Sequence, residues 1–344
     1  MRIRRDSISQ VFMSAIPILI TGATGYIGAQ LVFDLIRRFG DGVRCRVTVR
    51  DGSNAGFLNG LPVEIVRADI HDPVALAEAV RGAEVVFHCA GLIAYTMNFR
   101  NRLYDTNVLG TRNVVNACLA ANVHRLVATS SIAAIGSPRA NEGAGESNEQ
   151  STFSEWQRHN VYMESKHLAE LECRRGAAEG LDVVMVNPGV VIGRGEGNGA
   201  PDSTSNEVLQ LIYSGRLPLC PDGATGFVDV RDVADAHIAA WQKGRSGERY
   251  IIVGENLSFR ELFDRIAMLP GSRTKKPFRV AGAAGLVAGA SGELWSIISG
   301  RPSFISLESI RQASHKAHYS NRQSVHDLGM TYRPLAETFR TVIP

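Results

Sequence analysis

The stretch IPILITGATGYIG, from Ile16 to Gly28, decides the fold. Its first half is a short apolar run typical of a buried strand, and a pattern of helical period follows the last glycine. The glycines between them, Gly22, Gly25 and Gly28, allow a tight turn and a close approach of the backbone to a pyrophosphate. Such an anion would meet the free N–H groups at the positive end of the helix. The stretch therefore predicts a dinucleotide-binding turn.

The spacing of these glycines, G-x-x-G-x-x-G, differs from the G-x-G-x-x-G of the commonest dinucleotide fingerprint. An ordinary strand-to-helix turn is the alternative interpretation, and the position at the first strand–helix unit favours the nucleotide site. The residues that we predict to hold the cofactor here are Gly22, Thr24, Gly25, Tyr26, Ile27 and Gly28.

Short β-branched runs alternate with longer stretches of helical period through the first half of the chain. The runs that predict strands are 16–20, 47–49, 63–66, 85–87, 126–128 and 183–186. Parallel neighbours need crossover connections, so this alternation indicates a parallel sheet covered by helices on both faces. The expected fold class is α/β, a Rossmann-type doubly wound parallel sheet with a smaller, discontinuous C-terminal substrate lobe.

The regular alternation ends after residue 186, which sets the predicted domain boundaries. We expect a flexible tail over 1–14, a dinucleotide-binding domain over 15–188 and 227–256, and a substrate lobe over 189–226 and 257–344. Either Met1 or Met13 fits as the natural start. The longest weakly polar run, 280–290, is shorter than the roughly 20 residues that span a bilayer, so no membrane insertion is expected.

The composition is that of a globular protein, with 344 residues, 44% hydrophobic and 21% charged side chains. Because 37 basic residues nearly balance 34 acidic ones, nucleic acid is not an expected partner. The five cysteines are odd in number and scattered, which predicts reduced thiols and a cytoplasmic location. They form no metal-type cluster with histidine, so no metal site is expected.

The ends of the second, third and fourth predicted strands carry further candidates for the cofactor site. Arg50 directly follows the second strand, where an arginine accommodates the 2′-phosphate of NADP and an acidic residue would bind the ribose of NAD. This order favours NADP, and NAD stays open because Asp51 comes next. The residues expected near adenine and beside the cofactor are Asp69, Ile70, Ala90 and Gly91.

Tyr162 and Lys166 stand four residues apart, which places a phenol and an ammonium on one face of a helix. A nearby cation favours the phenolate and would lower the pKa of the tyrosine toward neutrality. Such a pair is common by accident. However, Ser131 ends the fifth predicted strand, and ligands of a doubly wound sheet lie outside the carboxyl ends of its strands. We therefore predict a Ser131, Tyr162 and Lys166 triad.

Together these motifs closely resemble the extended short-chain dehydrogenase/reductase superfamily. The matching pieces are TGATGYIG, Asp69, HCAG at 88–91, Asn107 in TNVLGT, TSS at 129–131, YMESK at 162–166, NPG at 187–189 and FVDVRDVADAH at 227–237. The resemblance implies that Tyr162 is the acid/base, that Lys166 lowers its pKa and binds the nicotinamide ribose, and that Ser131, rather than Ser130, hydrogen-bonds the substrate oxygen. It also implies a supporting role for Asn107, for which a capping or core hydrogen bond is an equal alternative.

The resemblance further implies that Pro188 and Gly189 shape the nicotinamide pocket, and that the protein is a homodimer. Ile132 follows the serine where a 4,6-dehydratase has an acidic pair, which argues against that reaction. The pattern resembles dihydroflavonol 4-reductases and 3β-hydroxysteroid dehydrogenases most closely. We therefore expect an NADP-dependent oxidoreductase that acts on a carbonyl or secondary alcohol of a small organic substrate.

Two alternatives stay open. An NAD-dependent nucleotide-sugar epimerase would need basic residues for a diphosphate, and the C-terminal lobe carries Arg216, Arg273, Lys275, Lys276, Arg279 and Arg301. A non-catalytic NADP-sensing protein on the same fold is the other alternative, because fold alone does not fix function. Retention of both Tyr162 and Lys166 disfavours the sensor.

Overall fold

A computed structural model describes residues 15–137, 145–197, 199–279, 283–300, 303 and 306–343. The predicted tail, with both candidate start residues, and Arg301 lie outside these ranges. The strands are β1 (Ile16–Thr21), β2 (Val43–Val49), β3 (Val63–Arg67), β4 (Val85–His88), β5 (Arg125–Thr129), β6 (Glu146–Ser147), β7 (Asp182–Pro188), β8 (Val190–Ile192), β9 (Leu219–Cys220), β10 (Ala224–Asp229), β11 (Arg249–Ile252), β12 (Glu255–Ser258), β13 (Phe278–Arg279) and β14 (His318–Tyr319).

The α-helices connect and cover these strands. They are α1 (Tyr26–Phe39), α2 (Pro73–Val80), α3 (Arg100–Leu103), α4 (Gly110–Ala120), α5 (Val161–Ala178), α6 (Thr204–Tyr213), α7 (Val230–Lys243), α8 (Phe259–Ala267), α9 (Ala283–Ser299), α10 (Leu307–Ala313) and α11 (Leu335–Val342). A π-helical turn, Tyr104–Leu109, joins α3 to α4. No helix in the described part of the chain has the length and apolar character needed to cross a membrane.

Seven strands form one parallel sheet in the order β11-β7-β5-β4-β1-β2-β3. Strand β1 pairs with β2 on one side and β4 on the other, so that Ile18 lies opposite both Cys45 and Val85. The predicted Rossmann-type fold class is therefore confirmed. The chain reverses its direction across the sheet between β1 and β4, and ligands of such sheets bind outside the strand ends at this kind of reversal.

Strands β1, β4, β5 and β7 are largely buried on both faces, which explains their continuous apolar runs. Strand β2 alternates in polarity, and the edge strand β3 is mostly exposed. On one face, α1 and α7 pack against the sheet through side chains such as Leu31 and Val233. On the other face, α2, α4 and α5 contribute side chains such as Leu76, Val114 and Cys173. Because the strands are parallel, their carboxyl ends lie at one edge of the sheet, where the candidate site lies.

A second sheet has the order β12-β10-β8, and its first strand begins directly after β7 of the main sheet. The chain leaves the main sheet at Pro188 and enters β8 at Val190, so only Gly189 lies between them. A Cβ atom at Gly189 would stand 2.5 Å from the carbonyl oxygen of Gly226, so only glycine fits this crossing. β8 and β10 pack with α6, α8 and α11 in a separate apolar cluster. The division into domains stays a prediction.

Candidate active site

The glycine turn has the close backbone contacts that a dinucleotide site needs. Gly22 has a φ of +71°, and a Cβ atom there would lie 2.4 Å from the backbone nitrogen of Ala90. A Cβ atom at Gly28 would lie 2.3 Å from the Gly22 carbonyl oxygen. No side chain caps the N-terminus of α1 at Gly25. The turn therefore leaves room, and uncapped N–H groups, for a pyrophosphate.

The first residue of α1 connects this turn to the second sheet. The Tyr26 hydroxyl donates a hydrogen bond to the carbonyl oxygen of Gly193, which follows β8. The Asn206 side chain donates to the same oxygen over 2.8 Å. Burial raises the pKa of the Tyr26 phenol, so it stays a donor. Thr24 is half-buried beside Gly25, which is exposed, and Ile27 is half-buried in the first turn of α1.

The predicted adenosine end of the site lies at the ends of β2 and β3. Arg50 is exposed directly after β2. Asp51, the acidic residue beside it, forms an ion pair with Arg67 at 3.5 Å. Asp69 is half-exposed and accepts the His71 backbone N–H at 2.9 Å, whereas Ile70 is buried. An arginine and a carboxylate are thus both present at the edge where a ribose would lie.

The three predicted catalytic side chains come together at the end of β5. Tyr162 and Lys166 lie one turn apart on α5, and both are buried. The Lys166 ammonium donates to the Thr129 carbonyl oxygen over 3.1 Å. Ser131, two residues beyond Thr129, lies close enough to the Tyr162 phenol to influence its pKa. The helix and the strand end therefore present a phenol, an ammonium and an alcohol at one place.

The pKa values of these groups differ in part from the expectation that lysine lowers that of the phenol. Burial raises the pKa of Tyr162 to about 12, and the nearby Ser131 hydroxyl acts in the opposite direction. Burial lowers the pKa of Lys166 to about 8, against the effect of Glu170. Desolvation dominates both values because both groups are buried. Tyr162 is therefore a protonated phenol at neutral pH, suited to donating a proton.

Asn107 lies on the π-helical turn and connects three segments of the site. Its amide nitrogen donates to the Leu92 carbonyl oxygen and to the Ser165 hydroxyl, each over 3.0 Å. Its amide oxygen accepts the Leu92 N–H at 2.8 Å. A Cβ atom at Gly91 would lie 3.3 Å from the Lys166 ammonium. Asn107 thus positions the backbone beside Lys166, and π-helical turns often occur at functional sites.

A buried ionic network supports α5 one turn beyond Lys166, and the sequence analysis missed it. Glu170 accepts hydrogen bonds from Ser130 at 2.6 Å and from Asn187 at 2.5 Å. Its other oxygen forms an ion pair with Arg249 at 2.9 Å. The Ser130 hydroxyl therefore donates its hydrogen bond to Glu170, which supports the preference for Ser131 as the residue that acts with Tyr162. The i+4 spacing from Lys166 could have identified Glu170, but no local pattern links it to Arg249.

His88 lies at the end of β4 and is a structural residue. Its ring nitrogens lie 2.7 Å from the Thr21 hydroxyl and 3.1 Å from the Thr111 hydroxyl. Burial lowers the pKa of His88 to about 3, so the imidazole is neutral. Among the described residues, no group of three or more His, Cys, Asp and Glu side chains is arranged to hold a metal ion.

Comparisons with known proteins identify the family to which this chain belongs. The family model of the NAD-dependent epimerase/dehydratase family matches residues 18–253, and the chain belongs to this family. A Synechocystis sp. protein with the provisional name dihydroflavonol 4-reductase is 30% identical over 316 residues, which cover 90% of this chain and 89% of that protein. Sterol demethylase protein B of Methylococcus capsulatus is 34% identical over 254 residues, 74% of each chain.

A solved structure agrees with this assignment. The crystal structure of gox2253 superposes with a TM-score of 0.78 and 28% identity, covering 95% of this chain and 96% of that one. The expected resemblance to the epimerase/dehydratase family and the expected class, an NAD(P)-dependent oxidoreductase of the short-chain type, are both confirmed.

Proposed function

We propose that this protein reduces the carbonyl group of a small organic substrate, or oxidises the corresponding secondary alcohol, with NADP as cofactor. The observation that carries the proposal is the meeting of Ser131, Tyr162 and Lys166 beside the glycine turn. The reductase name of the Synechocystis relative supports the same reaction type. When bound, the nicotinamide supplies or accepts the hydride.

The chain's own residues handle the oxygen of the substrate. Ser131 and Tyr162 would both donate hydrogen bonds to this oxygen, where negative charge develops during reduction. Tyr162 then gives up its phenolic proton, and the buried Lys166 ammonium stabilises the phenolate that remains. The Tyr162 pKa of about 12 keeps the proton in place until the substrate oxygen becomes a strong base. Pro188 and Gly189 would border the nicotinamide ring.

The preference for NADP rests on Arg50, because Asp51 already pairs with Arg67. The exposed Arg50 guanidinium is then the group available to bind a 2′-phosphate. Replacement of Arg50 by alanine should weaken NADP binding by about tenfold or more and NAD binding little. Arg44→Ala, which removes an exposed arginine from the strand that precedes Arg50, is the matched control. Equal losses for NADP and NAD would contradict the proposal.

The activity itself is tested with purified protein, NADPH and a panel of ketones and aldehydes, by the loss of reduced nicotinamide absorbance. We expect turnover with NADPH that Tyr162→Phe removes. Tight NADP binding without turnover of any carbonyl compound would favour the sensor alternative. Interconversion of nucleotide sugars without net change in cofactor would favour the epimerase. Sedimentation analysis tests the predicted homodimer, and cell fractionation tests the predicted cytoplasmic location.

A further inference from the structure

The C-terminal lobe contains a cavity of about 240 Å³ with an almost entirely apolar lining. Its walls come from β8, α6, β10, α8 and α10. The side chains that define its interior include Val190, Ile192, Leu209, Ile212, Phe227 and Phe263. The polar lining residues are two serines, Ser205 and Ser309, and no charged side chain takes part. An unpaired charge would be costly to bury in such surroundings.

One wall of the cavity leads back to the nicotinamide end of the site. Val190 and Ile192 belong to β8, which begins directly after Pro188 and Gly189. These two residues are the ones expected to border the nicotinamide ring. A substrate whose carbonyl group reaches Tyr162 therefore lies next to the strand that forms the cavity wall.

A second wall contacts the start of the catalytic helix. Helix α10 lines the cavity with Ile310 and Ala313, among others. On the same helix, the Glu308 carboxylate accepts a hydrogen bond from the Val161 backbone N–H at 3.3 Å. The Gln312 side chain accepts one from the Asn160 side chain at 3.2 Å. Val161 directly precedes Tyr162. Helix α10 therefore contacts both the cavity and the residue that precedes the proton-donating Tyr162.

From this placement we propose that the cavity binds the hydrocarbon part of an amphiphilic carbonyl substrate, while the carbonyl group lies at Ser131 and Tyr162. The proposal rests on the proposed reductase function and names its substrate class. An apolar cavity of about 150 Å³ lined by Leu, Ile and Phe stays dry and binds benzene. A cavity of 240 Å³ therefore has room for a larger ring or an alkyl chain. A diphosphate finds no partner in this lining.

The first test is the dependence of activity on chain length. Straight-chain methyl ketones from butanone to dodecanone are reduced with NADPH, and kcat/KM is measured for each. Each buried methylene should raise kcat/KM by about threefold to fourfold until the cavity is filled. Equal kcat/KM values across the series would overturn the proposal and leave the reductase function standing.

The second test fills the cavity. Ala313→Phe adds a ring on the cavity side of α10, and Arg311→Phe adds the same ring on its exposed side as a matched control. Ala313→Phe should lower kcat/KM for dodecanone by about tenfold or more and leave that for butanone within about twofold. Circular dichroism confirms that both variants fold. The same loss for both ketones, or a loss in the control, would overturn the proposal.

A third measurement needs no turnover and so separates the two proposals. The fluorescent lipid cis-parinaric acid should bind the wild-type protein and be displaced by dodecanone much more strongly than by butanone. Ala313→Phe should weaken this binding, and Arg311→Phe should not. Probe binding with no ketone reduced would contradict the reductase function alone. Absence of probe binding, with ketone reduction intact, would contradict the cavity proposal alone.

Discussion

Tyr162 has a buried phenol in contact with Ser131, and this places the proton-transfer step on one atom. Replacement by phenylalanine removes that atom and keeps the ring. Turnover of Tyr162→Phe should fall by a factor of about 10² to 10⁴, because general acid catalysis contributes that much. Cofactor binding, measured by fluorescence titration, should be unchanged. Tyr250→Phe removes a buried hydroxyl from the core and should retain turnover.

Lys166 is expected to act as a cation, and its environment limits the pH range in which it is one. Burial lowers its pKa to about 8, so the ammonium is present below that pH and is lost as the pH rises through it. The value of kcat should therefore fall above about pH 8. In Lys166→Arg the guanidinium stays charged, so the fall in kcat above about pH 8 should disappear even if turnover is lower. If kcat of Lys166→Arg still falls above about pH 8, the fall belongs to another titrating group.

At the scale of elements, the turn between β1 and α1 depends on the absence of a side chain at Gly22. A comparison of Gly22 with Gly82 distinguishes the cost of a positive φ from the cost of crowding. The two glycines have φ values of +71° and +74°, but of the two only Gly22 has neighbouring atoms within 4 Å of an added Cβ. Gly82→Ala should cost about 1 kcal/mol of stability. Gly22→Ala should cost about 3 kcal/mol or more and abolish NADP binding. Equal denaturation midpoints would contradict this reading of the turn.

The contact between α10 and α5 should make stability depend on pH through Glu308. Burial raises the pKa of this carboxyl to about 7, and nearby Glu293 acts in the same direction, whereas the Val161 N–H and Arg311 oppose it. The stability that the protonated form contributes is present below about pH 4.5 and is lost as the pH rises through about 7.

Replacement of Glu308 by glutamine removes this titration and keeps an acceptor for the Val161 N–H. Relative to wild type, the free energy of unfolding of Glu308→Gln should increase by about 1 to 2 kcal/mol between about pH 4 and pH 8. Urea denaturation at both pH values measures this difference. Glu207→Gln, an exposed position on α6, should show no such change. A pH-independent difference for Glu308→Gln would contradict the assignment.

At the scale of the whole molecule, the cofactor should stabilise the fold by mass action. NADP at about one hundred times its dissociation constant should add about 2.7 kcal/mol of stability. For a chain of this size that is a rise in Tm of a few degrees. The same concentration of NAD should give a smaller rise, Tyr162→Phe should keep the full rise, and Gly22→Ala should lose it. Thermal denaturation followed by circular dichroism distinguishes these cases.

The inner strands of the main sheet could be predicted from the sequence because strands buried on both faces are continuous apolar runs. The glycine turn and the placement of Tyr162, Lys166 and Ser131 could also be predicted, because each is fixed by its position relative to one strand or helix. The effect of burial on the Tyr162 pKa could not be predicted from the sequence. Neither were the Glu170–Arg249 ion pair and the α10 contact with α5, because each joins segments that are far apart in sequence.

The hydroxyl of Tyr26 gives the glycine turn a partner beyond the main sheet, since it donates to Gly193, an oxygen that Asn206 also binds. A ligand seated on the turn would hold Tyr26 in place, and through it the chain that leads into α6. Linkage is reciprocal, so a molecule that fixes the second sheet should also raise the affinity for the dinucleotide. A ligand on the second sheet and the dinucleotide should therefore each raise the affinity of the protein for the other by the same factor.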